Sequence, residues 1–521
     1  CSWLFLAQRC SRSRRACRPV PAPATSDADL AVSEPKPATG TDAPIMWLFA
    51  GLSALIAAAP ISDNSFLTHL ATGRLIVDSG LPQQNPFLYS STAFPVPSYW
   101  WSILLGAVDW AGGATGLRLM TAALAGLLGA LLVRMAASAE ATELVASASP
   151  SAAEVTQDGS SLPGLLAVLL PAGLGFICLL SFLNGRPHLI GFVLLALMVL
   201  VWKEGRSPWW LLPIFAVWVN VHGSWLYGLI VLGMFLVATT IDSRKLMPKQ
   251  FALAGTAVLG VVIGGALYPD RFALLLLPAK QFGDPIEREA LQSYQEWGRV
   301  GFDEPMLWMM LAIAILAIFG CIRQRRYAMT VMVGLLVILG FSGLRLVPIA
   351  AVALLPFAAI GLRGIGTVGL PSGRMAKAVG GFGLLLCLAA GARCVIGPSY
   401  QLNAFPVAAV DWLEARDLVG NDTRVTTHDF AGNYLEWRYG DQANTWVDDR
   451  PGAATMVAYV NMLRLSEGWQ KSLAGSKGDV LIWRTSGKLT EQLKQDPEWV
   501  VGTQAGEFTV FCKAELADRC S

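Results

Sequence analysis

Apolar runs of about 20 residues recur from Met46 to near Gly397 of this 521-residue chain, and no other feature limits its fold as strongly. Wound as a helix, a run of that length matches the hydrocarbon thickness of a bilayer. Composition agrees: 54% of the residues are hydrophobic and 15% charged, against roughly 25% charged in soluble domains, and the mean hydropathy is +0.50. The chain reads as an α-helical polytopic membrane protein whose first partner is the lipid bilayer. Its 39 Lys and Arg against 37 Asp and Glu are too balanced to attract a nucleic acid through bulk charge.

Windows of mostly apolar residues predict about eleven transmembrane helices, near 46–61, 116–136, 162–183, 188–202, 208–221, 223–241, 250–268, 305–321, 328–344, 346–362 and 377–396. Loop charge orients them. One set of short loops, from Lys203 to Lys377, holds eleven Lys and Arg; the alternate set, from Arg186 to Arg345, holds six. Loops rich in Lys and Arg stay in the cytoplasm, so the N-terminus is expected there, and an odd number of spans leaves everything after Gly397 outside a cell (inner or plasma) membrane. Three parts follow. Residues 1–45, Arg-rich and then Pro-rich, are expected to be disordered because they have too few apolar residues for a core. Residues 46–396 form the bundle. Residues 397–521 are expected to form an extracytoplasmic α/β domain, with strand-like runs from Asp479 to Trp483 and from Glu507 to Cys512 around a helical stretch. In an oxidising location Cys512 and Cys520 could pair or stay free.

Polar groups at membrane depth are costly and mark either function or a buried structural pair. The four histidines, His69, His188, His222 and His428, all fall at outer helix ends or in the outer domain. Asp63, Arg74, Arg186, Asn220, Asp270, Glu296 and Arg345 join them there, as an outward-facing polar cavity would require. Asp63, His69, Arg74, Arg186, His188, Asn220, His222, Glu296 and Arg345 are the candidate site residues. Each group also has a structural reading. Asp63 could cap a helix, Asn220 and His222 could satisfy backbone at a tight turn, and Arg186 and Arg345 could snorkel to headgroups.

The first outer loop, from Ser62 to Tyr99, is expected to lead into interfacial helices, one over Phe66 to Ile76 and one over the Trp-flanked stretch from Tyr99 to Trp110. Trp100, Trp101, Trp209 and Trp210 are expected to be interfacial belt residues. The sequence holds no P-loop, HExxH, GxSxG or Rossmann motif, and no cysteine pair has zinc-finger spacing. Neither a metal nor a cofactor is therefore expected.

The stretches ISDNSFLTHLATGRLIVDSGLPQQNPFLYS, NGRPHLIGF, WVNVHGSWLYGL, QEWGRVGF, GLRLVPIAA and THDFAGNYLEWRYGDQANTWVDDRPG resemble the successive signatures of a bacterial group of polytopic membrane proteins. That group is usually placed near the C-type glycosyltransferases, which use polyprenyl-phosphate sugars. The resemblance implies a catalytic acid in the first outer loop, at Asp63, followed by interfacial helices and an outer soluble domain. It further implies transfer of a sugar from a polyprenyl-phosphate donor to a cell-envelope acceptor that is a glycan, a lipid or a protein. The group often has an aspartate before the Pro-Phe pair. Asn85 stands there in this chain, which argues against a second acid or a metal at that point.

Inverting transfer needs a carboxylate to take the acceptor's proton, and Arg186, His222 and Arg345 suit the leaving phosphate. Other readings stay open. A transporter or flippase should show repeats and broken helices near the midplane. A non-catalytic scaffold would use the outer domain, around His428, Tyr434 and Trp437, to bind a partner or glycan. A polymer ligase would use the late loop 270–304.

Overall fold

A computed structural model describes residues 42–138, 164–293, 298–363, 371–420, 422–450 and 452–520. The expected disorder of the N-terminal segment falls almost wholly outside these residues, as does Glu296. The described chain is mostly helical. Among the described residues six helices are long and apolar enough to cross a membrane, and five shorter apolar helices lie at the positions of the other windows.

The bundle is built in chain order from α1 (Ala43–Ala57), α2 (Asn64–Ser79), α3 (Tyr99–Ala137), α4 (Leu165–Leu179), α5 (His188–Lys203), α6 (Leu211–Val221), α7 (Trp225–Ser243) and α8 (Pro248–Leu267). It continues with α9 (Ala273–Gly283), α10 (Pro285–Ser293), α11 (Pro305–Arg323), α12 (Tyr327–Phe341), α13 (Leu346–Leu362) and α14 (Gly373–Ile396). α13 is apolar all round and buried along its whole length. It forms the centre of the bundle, against α11, α12, α4 and α3.

The Trp-flanked stretch and the following span form one helix broken at Gly113, whose φ of 56° and ψ of −155° suit a residue without Cβ. The arm before the break receives α2. Gly73 and Gly106 face each other so closely that a Cβ on either would lie inside the other helix's backbone. The apolar residues that suggested a helix in the interface, Phe66, Leu67, Leu70 and Ile76, are therefore buried in protein. Trp101, expected in a lipid belt, is also fully buried and donates from Nε1 to Gly185 O at 3.2 Å. Trp209 and Trp210 are exposed.

After α14 come α15 (Val407–Glu414), β1 (Val425–Thr427), α16 (Asp429–Tyr439), α17 (Ala453–Arg464), α18 (Trp469–Ser476), β2 (Val480–Arg484), α19 (Lys488–Leu493), β3 (Trp499–Ala505), β4 (Phe508–Lys513) and α20 (Ala517–Cys520). The strands form one sheet in the order β1-β2-β4-β3, parallel between β1 and β2 and antiparallel elsewhere. β2 and β4 coincide with the two expected strand-like runs, and Cys512 is bonded to Cys520.

This sheet and the first loop are built together. Thr445 bridges to Val425 on one side and to Leu88 on the other, with Thr445 N donating to Phe87 O at 2.9 Å and Tyr89 N to Thr445 O at 3.1 Å. Arg118 ties the same end of the bundle together. Fully buried, it donates to the carbonyls of Ala58, Arg393, Cys394 and Gly397 at 2.7–3.0 Å. Carbonyls past the last turn of α1 and in that of α14 thereby gain the cation that a helix C-terminus favours.

Candidate functional site

The ends of α1, α4, α6 and α12 and the starts of α2, α5, α7 and α13 meet beneath the C-terminal domain, because consecutive helices alternate in direction. Asp63 caps α2 by accepting from Phe66 N at 3.0 Å. The same oxygen accepts from Arg186 Nε at 2.6 Å, and the other accepts from Asn184 Nδ2 at 3.4 Å. The cap reading of Asp63 holds, and the capping oxygen also pairs with Arg186. Gly185, between those two partners, is where α2 comes closest, since a Cβ there would strike the Phe66 ring.

His69, one face further along α2, has Nδ1 3.3 Å from Ser102 Oγ on the α3 arm, a contact the Gly73–Gly106 approach permits. Burial first, then the charges of Arg450, Arg186, His222 and Arg345, lowers its pKa from 6.5 to about 3. It is a neutral imidazole among cations.

His222 Nδ1 lies 2.6 Å from Ser224 Oγ, which already accepts from Trp218 Nε1 at 3.0 Å. The serine proton is then left for His222 Nδ1, which also accepts from Ser224 N at 3.3 Å. A neutral His222 therefore carries its proton on Nε2. Gly191 on α5 has no side chain to block this ring. His188 points Nε2 at Phe182 O, 3.1 Å away, its ring 6.4 Å from that of His222, with Arg186 and Arg345 acting on it electrostatically.

The structure thus gathers Asp63, His69, Arg186, His188, His222 and Arg345 into one cluster. It sends other candidates elsewhere. Arg74 pairs with Asp109 at 2.7 Å and reaches Trp437 O. Fully buried Asn220 donates to Ala216 O and, at 2.8 Å, to Gly264 O, where a glycine lets α8 approach α6. This is the backbone-satisfying role, without contact to the cluster. His428 lies against Asp429 inside a ring of Phe430, Tyr459, Trp483 and Phe508. Among the described residues no three His, Cys, Asp or Glu side chains gather as a metal site.

Three charged residues come to the site from the C-terminal domain, and sequence reasoning did not select them. Asp448, Asp449 and Arg450 follow Trp446 and Val447 in the loop before α17. Arg450 bonds buried Asp448 at 2.9 Å and buried Glu436 at 3.1 Å, and donates to Thr72 Oγ1 on α2. Asp449 is held by its own N–H to Asn433 Oδ1 at 2.9 Å. Its carboxylate lies near Ser65 and within electrostatic reach of Arg186 and Arg345. Burial, the largest cause, raises its pKa from 3.8 to about 6 against the pull of those arginines. The signal was available as an acid pair set directly after an apolar Trp-Val, where a solvated turn would not need one.

No family model and no curated protein matches the chain.

Proposed function

We propose that the chain is a membrane glycosyltransferase of the C type, moving a sugar from a polyprenyl-phosphate donor to a cell-envelope acceptor. The observation that carries this reading is the cluster itself: Arg186, Arg345 and the His222 Nε2–H beside the carboxylates of Asp63 and Asp449. A lipid-linked phosphosugar brings a phosphate that needs such donors and an anomeric carbon that needs a nearby base. About eleven spans, with the N-terminus cytoplasmic and the C-terminal domain outside, would put the cluster at the outer headgroup level, and the Lys and Arg bias of the loops supports that orientation.

In the reaction the acceptor hydroxyl attacks the anomeric carbon, its proton passes to a carboxylate, and the bond from sugar to phosphate breaks. Polyprenyl phosphate leaves with the bonding electrons, its charge taken up by the arginines. Asp63 is the position that the resemblance assigns to the acid. Its capping bond and its pair with Arg186 fix that arginine for the phosphate.

Protein reconstituted in bilayers and given polyprenyl-phosphate sugars should release polyprenyl phosphate and label an envelope acceptor. Arg345→Ala should weaken donor binding. Reconstituted protein that neither binds nor consumes any such donor would refute the reading.

A further inference from the structure

Asp449 is a carboxylate of the C-terminal domain that lies within electrostatic reach of Arg186 and Arg345 in the bundle. Asp448, its neighbour, is committed to Arg450. Asp63 differs in what it touches. One of its oxygens already takes a backbone N–H and a guanidinium, and the other faces an amide. Asp449 has no guanidinium or backbone N–H bonded to its carboxylate among the described residues, and lies near Ser65 within the field of Arg186 and Arg345. Its loop is fixed from both sides, by Asn433 on α16 and, through Arg450, by Thr72 on α2.

From this juxtaposition we propose that Asp449 accepts the proton of the acceptor hydroxyl, while Asp63 positions Arg186. The proposal rests on the transferase reading for its chemistry, but the placement of Asp449 stands apart from it. The acceptor O–H proton goes to the Asp449 carboxylate as the oxygen bonds the anomeric carbon. The sugar–phosphate bond breaks, and the leaving phosphate is held by Arg186 and Arg345. The C-terminal domain is then part of the active site, and the acceptor enters between it and the bundle.

A base must be unprotonated at working pH and still attract a proton. Asp449, lifted to about 6 by burial against the opposing arginines and with Asp448 adding to the rise, meets both conditions. Two histidines of the pocket compete poorly: His69, its pKa lowered to about 3, holds a proton weakly, and His222 Nδ1 is occupied by Ser224.

The test uses full-length protein in nanodiscs. With a polyprenyl-phosphate sugar, Asp449→Asn should lower kcat by at least about 100-fold and abolish the rise of rate with pH near 6. Asp449→Glu should restore part of the rate and that rise. Asp63→Asn should keep the rise while raising KM. Binding of sugar-free polyprenyl phosphate is read separately. Asp449→Asn removes an anion facing the phosphate site, so affinity at pH 8 should rise by roughly fivefold or more, and the gain should vanish at pH 5. Failure of the wild type to transfer sugar, with that binding pattern present, would sink the reaction and leave Asp449 in an anion site. Unchanged binding in Asp449→Asn, or a pH limb lost in Asp63→Asn instead, overturns the assignment of Asp449.

Discussion

Removing the Arg450 guanidinium should undock the C-terminal domain from the first loop. Arg450 is 12% exposed, and the carboxylates of Glu436 and Asp448 that it joins are 0% exposed. Its guanidinium also lies over the Phe87 and Phe94 rings. Arg450→Met keeps the stem and deletes the charge, so two buried acids lose the counter-charge they share. Breaking a buried pair in this way costs about 3–5 kcal/mol. Glu436 moderates the loss, because burial and the Asp448 charge already push its pKa well above the usual carboxylate range. In the variant it can take a proton, and the penalty should shrink as pH falls toward 5.

Chemical denaturation in detergent, followed by Trp fluorescence and by protease resistance of the fragment after Gly397, reads the effect. Adding Glu436→Gln and Asp448→Asn to Arg450→Met should recover most of the lost stability, since no unpaired charge then remains. A loss below about 1 kcal/mol for Arg450→Met alone would mean that the network is solvated, and the docking argument would fall with it.

Three other outcomes follow from particular contacts. Gly106→Ala should separate α2 from the α3 arm, lowering stability by about 1–3 kcal/mol, the usual cost of overpacking, and weakening donor binding through loss of the His69–Ser102 contact; thermal unfolding and a binding isotherm would report both. His69 and Asp449 should act on acid stability in opposite directions. His69, depressed to about 3, makes the unfolded chain take up the proton first, so the fold loses stability as pH drops below 6.5, by about 2 kcal/mol at pH 5. Asp449, raised to about 6, makes the folded chain take it up first and returns about 1 kcal/mol over the same range. His69→Gln should therefore be more stable at pH 5 than at pH 7, whereas Asp449→Asn should show the larger acid loss; the reverse pattern in a pH series of melting curves would contradict both environments. A periplasmic-type reporter fused to the C-terminus should be active, and activity only for a fusion in the loop at Gln324 would reverse the orientation.

How much of this could be read in the chain depends on the range of each interaction. Helix positions were legible because apolar length is local: α4, α5, α6 and α13 fall within a few residues of their windows. The break at Gly113 falls between the Trp-flanked stretch, which ends at Trp110, and the window that starts at 116. Destinations of side chains were less legible. Asn220 and His222 lie two residues apart, yet the turn of α6 sends one to Gly264 and the other to the cluster. Arg74 shares α2 with His69 but meets Asp109, a partner set by the Gly73 crossing. β3 escaped because it is an edge strand with exposed Val500 and Val501, so it lacks the alternation that marks a half-buried strand. Asp449 lies far along the chain from Asp63, and long-range contacts bring the two regions together: the seam between Leu88 and Thr445, Asn433 to Asn64 O, and Arg450 to Thr72.

The most direct measurement of the central claim is photocrosslinking of a polyprenyl-phosphate probe, its reactive group beside the phosphate, to protein in native membranes, followed by peptide mapping. The account predicts labels around Asp63 to His69, Arg186 to His188, His222, Arg345 and Asp449, reduced by excess unlabelled polyprenyl phosphate and by Arg345→Ala. Labels confined to the opposite end of the bundle, near Arg134, Glu204 and Arg363, or labels that excess polyprenyl phosphate does not displace, would contradict it.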